Sequence, residues 1–226
     1  MNGAIITAKN EEATIGALVA KLVSMGLDVV VVDDGSTDST GKEAITAGAT
    51  VIRHEASRGI GKSLMEAWKY ALEVGWDYTV QIDAGGSHNP TDANSFLKSI
   101  DKLAGVGITK DLVVGTRFRS DSEYIGRRWR AAASSFVAGL LNWTTHKKIS
   151  DWTSGYRVFS RMALQELSKP LYITNMHTWQ IEVLFEAVRR GLTIAEFPIT
   201  YRAGDSTMKF STVSDLVKVY LWIFNG

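Results

Sequence analysis

The chain has 226 residues, 45% hydrophobic and 22% charged, with a formal net charge of +1. That length supports one sizeable core, read as a single domain over residues 1–226, and the near-neutral charge excludes a field that would gather nucleic acid. There is no cysteine, so a disulfide framework and any thiolate metal site are excluded; with neither a basic-then-apolar leader nor an apolar run long enough to span a bilayer, a soluble, cytoplasmic protein is expected.

The first half alternates strand and helix signals. "GAIIT" is a short apolar run, and Ile15, Leu18, Val19, Leu22 and Val23 then recur at helical spacing. "DVVVVDD" is a β-branched run bounded by turn residues, as a strand buried on both faces requires. "STDSTGKEAITAG" reads as a capped helix stopped by glycine, and "TVIRH" as the next strand. Met65, Trp68 and Leu72 mark a helix, "YTVQID" a strand, Phe96, Ile100 and Leu103 a further helix, and "DLVVGTR" a further strand. Repeated βα units predict an α/β fold, a Rossmann-like mostly parallel sheet with helices on both faces. After Arg117 the pattern loosens: "RRWRAAASSFVAGLLNW" reads as a helix with a basic start and "DWTSGYRVFS" as a turn entering a strand. "TWQIEVLFEAVRRG" reads as a helix and "TIAEFPITYR" as one strand.

Ligands in such sheets sit at the carboxyl ends of strands. There "VVVVDDGSTDST" puts two carboxylates after a buried strand, where each needs water, a donor or a ligand. Asp34 is read as a ligand contact, and Asp38 as part of a turn capped by Ser36 or Thr37. "QIDAGGSHNP" ends a strand at Asp83, and its glycines let a ligand approach the backbone. A carboxylate there suits Mg²⁺ or Mn²⁺ on a diphosphate; His88 is the weaker candidate. "DWTSGYR" gathers Asp151, Ser154 and Arg157 in a tight turn, with Asp151 a base or the orienter of one. Arg117, Arg127, Arg128, Arg130 and Arg202 are guanidinium forks suited to phosphate oxygens, Arg117 foremost because it follows a strand. "ASRGIGKS" matches the A-x-x-x-x-G-K-S form of a phosphate-binding P-loop, which keeps an NTPase open as an alternative.

Taken in order, these segments resemble the family 2 glycosyltransferases of GT-A fold, and within them the polyprenyl-phosphate mannose/glucose synthases of the dolichyl-phosphate mannose synthase type. The resemblance rests on "TAKNEE", "VVVVDDGSTDST", "RGIGKS", "QIDAGGSHNP", "GTRF", "DWTSGYRVFSR" and "WQIEVLFEAVRRGLTIAEFPITYRAGDST", which together span nearly the whole chain. It implies transfer of a sugar, with inversion, from a GDP-mannose or UDP-glucose type donor to an acceptor, foremost a polyprenyl phosphate. It places Thr7, Lys9 and Glu11 at the base, Val32 and Asp34 at the base and ribose, and Asp83 at a Mg²⁺ or Mn²⁺ ion. It places Arg117 and Arg130 at the acceptor phosphate, Arg202 in a loop over the donor, and Gln180 and Glu182 on a helix facing the site.

The departures from that pattern are specific. Thr7 and Lys9 stand where proline and tyrosine are usual, and Thr178 where lysine is often seen. Gly85 replaces the second carboxylate of an Asp-x-Asp pair, and Ser87 a possible further ligand, so the metal would rest on Asp83 and water. A nucleotide-sugar-binding relative without turnover is the alternative that Gly85 raises. An anionic polyprenyl phosphate would need no base, whereas a hydroxyl acceptor would need Asp151 or Glu182. Near the end of the sequence Val213, Leu216, Val217, Tyr220, Leu221 and Phe224 form an apolar stripe. It is covered either by the protein's own sheet or by the membrane interface, the second implying peripheral attachment at the cytoplasmic membrane face.

Overall fold

A computed structural model describes residues 1–105, 110–126, 128–169 and 178–202. Its centre is a seven-stranded sheet ordered β3-β2-β1-β4-β7-β5-β8. The strands are β1 (Asn2–Ala8), β2 (Asp28–Asp33), β3 (Thr50–Arg53), β4 (Tyr78–Gln81), β5 (Leu112–Thr116), β7 (Arg157–Ser160) and β8 (Ile194–Pro198). All neighbours pair parallel except β7, which runs antiparallel to both β4 and β5. A second ladder joins β6 (Glu123–Ile125) to β9 (Thr200–Arg202) in parallel. The helices are α1 (Glu12–Ser24), α2 (Thr40–Thr46), α3 (Ile60–Val74), α4 (Asp92–Gly105), α5 (Arg128–Thr145), α6 (Arg161–Leu167) and α7 (Trp179–Arg189).

The period of two along each strand divides the core into two layers. Ile5, Val30, Val32, Leu112 and Val114 face α3, α5, α6 and α7, through Trp68, Leu141, Leu164 and Ile181. Ala4, Ile6, Val29, Val31 and Val113 face α1, α2 and α4, through Ile15, Ala44 and Phe96. The β-branched run of β2 is therefore buried on both faces, as its continuous apolarity required. Trp68 anchors the first layer: its indole N–H donates to Gln81 Oε1 at 3.2 Å and its ring lies 5.5 Å from Phe159. Truncating it to alanine would cost about 3–5 kcal/mol.

Three local readings change. "TIAEFPITYR" is two strands, not one. Pro198 offers no N–H to continue a ladder, and after it the chain leaves the main sheet for the small one. The helix α6, short and set directly after β7, was not anticipated; Ser160 caps it by accepting from the Ala163 N–H at 3.1 Å. Neither Ser36 nor Thr37 caps α2; its N-cap position is Ser39, which makes no side-chain capping bond, while Asp38 before it accepts from Thr40 N at 3.0 Å and from Glu12 N, at the start of α1, at 3.2 Å. The apolar stripe from Val213 to Phe224 lies outside the described residues.

Candidate active site

The carboxyl ends of β1, β2, β4 and β5 meet on one rim, and β7 delivers the segment before it to the same place because it runs the other way. On the β1–β2 side the turns are sewn together. Asn10, in the left-handed region at φ 56°, accepts from Thr37 N at 2.9 Å and donates its own N–H to Ser36 Oγ at 3.0 Å. Asp34 N donates to Ala8 O at 2.9 Å. The Glu11 N–H donates to Thr40 Oγ1 at 2.7 Å, while its carboxylate accepts from Thr14 Oγ1 at 3.1 Å. Thr7 is half-buried and Lys9 exposed on this rim. Val32 is closed inside the core, so any ligand contact from it must come from its backbone.

Asp34 is the hub of this side. Its Oδ1 accepts from His54 Nδ1 and Arg58 N, both at 2.7 Å; its Oδ2 accepts from Ser57 Oγ at 2.6 Å and Gly59 N at 3.1 Å. Burial pushes its carboxyl up, but these four bonds outweigh burial and hold it far below the usual carboxylate range. Both Asp34 oxygens are engaged within the protein, so the ligand contact read for Asp34 would have to compete with these four bonds. The same bonds remove the P-loop reading of "ASRGIGKS". The N–H groups of Arg58 and Gly59, which a P-loop would aim at phosphate, are donated to Asp34. Gly59, at φ 90°, turns the chain into α3, Gly61 is buried within the first turn and Lys62 is exposed.

Asp83 lies two residues past β4 with 42% of its side chain exposed. Its Oδ2 is 3.4 Å from Nε2 of His88, a buried ring wedged between Tyr156 and Tyr201 at 5.1 and 5.0 Å. Desolvation raises the Asp83 carboxyl, yet the His88 contact and the charges of Arg117 and Arg157 bring it below the ordinary value. Its floor is the backbone of Gly155: a Cβ there would sit 2.6 Å from Asp83 Oδ2. Nothing in the sequence pattern marked that contact beyond the glycine itself. A Cβ on Gly85 would lie 3.6 Å from Glu11 Oε1, so the place of the missing second carboxylate faces an existing one. Among the described residues no group of three His, Asp or Glu side chains is gathered for a metal. The oxygen donor that is open, Asp83, suits one hard ion completed by phosphate and water.

Across the rim Asp151 is 1% exposed and grips Arg117 with both oxygens, from Nε at 2.7 Å and Nη2 at 2.8 Å. Arg117 Nη2 also reaches Thr153 Oγ1 at 2.5 Å, and the guanidinium lies about 5 Å over the rings of Phe118 and Tyr201. Burial lowers the guanidinium pKa, but the Asp151 bond and charge leave it raised. Both Asp151 oxygens are thus engaged, and the group they orient is Arg117. Glu196 of β8 was missed by pattern reading, yet it accepts from Ser150 N at 2.8 Å, Ser150 Oγ at 2.7 Å and Asp151 N at 3.1 Å, holding that turn.

Beneath the site Arg157 is wholly buried, with Nε on Ser154 O at 3.0 Å and Nη2 on Gln180 O at 2.6 Å. Glu182 is buried too, accepting from Thr178 Oγ1 at 2.9 Å, so it cannot meet an acceptor hydroxyl as a base. Arg202 is exposed, and its N–H donates to Ser87 O at 2.8 Å, which sets the residue beside the Asp83 loop. The side chain of Arg130 lies outside the described residues.

The profile described as Glycosyl transferase family 2 matches residues 4–168. Polyprenol monophosphomannose synthase of Mycolicibacterium smegmatis is 27% identical, covering 98% of this chain and 86% of the relative. UDP-N-acetylglucosamine–dolichyl-phosphate N-acetylglucosaminyltransferase of Methanococcus voltae is 30% identical, covering 86% of this chain and 83% of the relative. The crystal structure of glucosyl-3-phosphoglycerate synthase from Mycobacterium tuberculosis superposes with TM-score 0.72 at 22% identity, covering 99% of this chain and 79% of that one. The same enzyme in complex with Mn²⁺, UDP and glucosyl-3-phosphoglycerate gives 0.71. The fold is the GT-A fold that the motifs implied.

Proposed function

Because the chain belongs to glycosyl transferase family 2, we propose that residues 1–226 form one catalytic domain that moves a hexose from a nucleoside-diphosphate sugar to a polyprenyl phosphate. The observation that carries this reading is the juxtaposition of an open, ionised Asp83 with an Arg117 clamped by Asp151 on the facing side of the rim. The first belongs at the donor diphosphate, the second at the acceptor phosphate.

The acceptor oxygen attacks the anomeric carbon opposite the diphosphate. The new C–O bond forms as the bond to the diphosphate breaks, the electron pair leaves with the nucleotide, and the configuration inverts. A phosphate acceptor is ionised at neutral pH and has no proton to lose. This fits the site, since both carboxylates considered as bases, Asp151 and Glu182, are buried and engaged. Arg117 keeps its acceptor role: its bonds to Asp151 and Thr153 use Nε and Nη2, and among the described residues Nη1 has no hydrogen-bond partner. Arg130 is proposed beside it. Arg202 is proposed to close on the diphosphate from its place next to Ser87. Asp83 would hold a Mg²⁺ or Mn²⁺ ion whose charge offsets that of the leaving diphosphate. Thr7, Lys9, Glu11, the Val32 backbone and Gln180 line the donor side.

The lipid end of the acceptor calls for a membrane contact, and α5 supports one. Trp129, Phe136 and Trp143 recur every seven residues and are 52%, 75% and 71% exposed. They form one stripe roughly 21 Å long at 1.5 Å per residue. Residues 131–145 carry no charge, while His146, Lys147 and Lys148 are exposed just beyond and Arg128 and Arg130 open the helix in sequence. Aromatic rings between basic ends suit an anionic bilayer surface. No helix among the described residues is long and apolar enough to cross a membrane. Product analysis tests the whole reading. GDP-mannose or UDP-glucose with a short polyprenyl phosphate and Mn²⁺ should yield an anomerically inverted hexosyl phospholipid. Transfer to a sugar hydroxyl alone, or ATP hydrolysis without nucleotide-sugar binding, would overturn it.

A further inference from the structure

His54 stands just past β3, outside the reacting groups, and its contacts are unlike those of any other ring described. It is 5% exposed, with Nδ1 2.7 Å from Asp34 Oδ1 and Nε2 2.6 Å from Glu66 Oε2. Glu66 belongs to α3 and also accepts from Arg58 Nη1 at 2.5 Å, while the Arg58 N–H returns to Asp34. The four residues close a ring that ties the end of β2, the end of β3, the 57–59 turn and the first turns of α3. A neutral imidazole has one N–H and cannot donate to both carboxylates; an imidazolium donates to both. With the proton the ring is neutral in sum; without it, two carboxylates face one guanidinium.

We propose that His54 is a positioning residue for the donor nucleotide, which as an imidazolium locks the 34–36 and 57–59 turns together and so makes nucleotide affinity fall as pH rises. The groups that face the imidazole are Asp34, just past β2, and Glu66 from α3, with Arg58 behind Glu66 and Arg53 and Glu55 its neighbours along the chain. Burial lowers the His54 pKa, but the bonds and charges of Glu66 and Asp34 leave it raised above 6.5. The locked state is therefore complete below pH 6.5 and lost as pH rises through the raised value. The inference rests on the donor site lying at the carboxyl ends of β1 and β2.

The test is the affinity for UDP and GDP, by calorimetry, across pH ~6 to ~9. The native protein should lose roughly tenfold in affinity over that range, the weight of one charge-assisted bond. His54→Gln should bind weakly and with that slope removed; ionisation of the nucleotide is common to both proteins and cancels. Glu66→Gln, at a partly exposed position, should keep the slope but move its midpoint to lower pH, and it serves if His54→Gln does not fold. An unchanged profile in His54→Gln, or an unmoved midpoint in Glu66→Gln, overturns the assignment to His54 alone. Binding of neither nucleotide at any pH overturns the functional reading beneath it.

Discussion

The two sides of the rim are built on opposite plans. On the β1–β2–β3 side the polar side chains are spent on one another: Asp34 accepts four hydrogen bonds, Asn10 and Asp38 bridge turns, and His54 joins two carboxylates. The β5–β6–β9 side is aromatic and cationic. Tyr124 and Tyr201 stack within 4° of parallel at 5.9 Å, Arg117 lies on Tyr201, and the α5 rings stand in solvent. The first plan preorganises backbone for a small polar ligand. The second leaves apolar surface and one anchored charge, as a phosphate with a hydrocarbon tail would need.

That contrast can be broken from either side. The largest effect is expected from Asp151→Ala, which strands a buried Arg117: about 3–5 kcal/mol of stability by denaturant unfolding, with transfer to the lipid phosphate abolished. If acceptor KM survived that change, the anchored-charge account would fail. Gly155→Ala comes next. Its methyl would press on the Asp83 carboxylate from 2.6 Å and force it to shift, and a displacement of that kind lowers turnover by roughly 10- to 100-fold, read as kcat with the protein still folded. Acid should weaken the Asp34 hub only at the low end of the titration. The Asp34 carboxyl is depressed, so its contribution is present above pH 3.8 and lost as pH falls through the depressed value; denaturation in Asp34→Asn should lack that acid limb. Phe136→Ser is the mildest. Stability should move by less than about 0.5 kcal/mol, while binding to anionic vesicles in a flotation assay should drop roughly tenfold. Unchanged flotation would take the membrane contact away from α5.

The sequence carried the sheet well because its signals were local. Four consecutive valines bounded by Asp28 and Asp33 can only be a strand buried twice, and the glycine stop of α2 is where it was expected. It also placed Asp83 and Arg117 at strand ends. What it could not carry was partnership. Nothing in "DWTSGYR" says that Asp151 is consumed by Arg117, since the bond spans 34 positions. Nothing in "ASRGIGKS" says that its amides belong to Asp34, 24 and 25 positions back. A P-loop and this turn share residues; they differ in which anion the amides meet. Glu196 was passed over because an alternating polar position on an edge strand looks solvated until the 150–151 turn folds onto it.

The antiparallel strand β7 has a consequence for the order in which the molecule assembles. The first 81 residues contain β3, β2, β1 and β4, a contiguous half-sheet of parallel pairs joined by nearby crossovers. β4 and β5 are not neighbours; the slot between them is filled only by residues 157–160. Until that much of the chain has left the ribosome, β4 is an open edge and the two plans described above have no common wall. Closing loops of this size is slow relative to local pairing. Gly155, which floors Asp83, and Asp151 and Thr153, which hold Arg117, thus arrive together with the wedge that completes the sheet, and a chain stalled before Ser160 would be half a fold with an exposed template for aggregation.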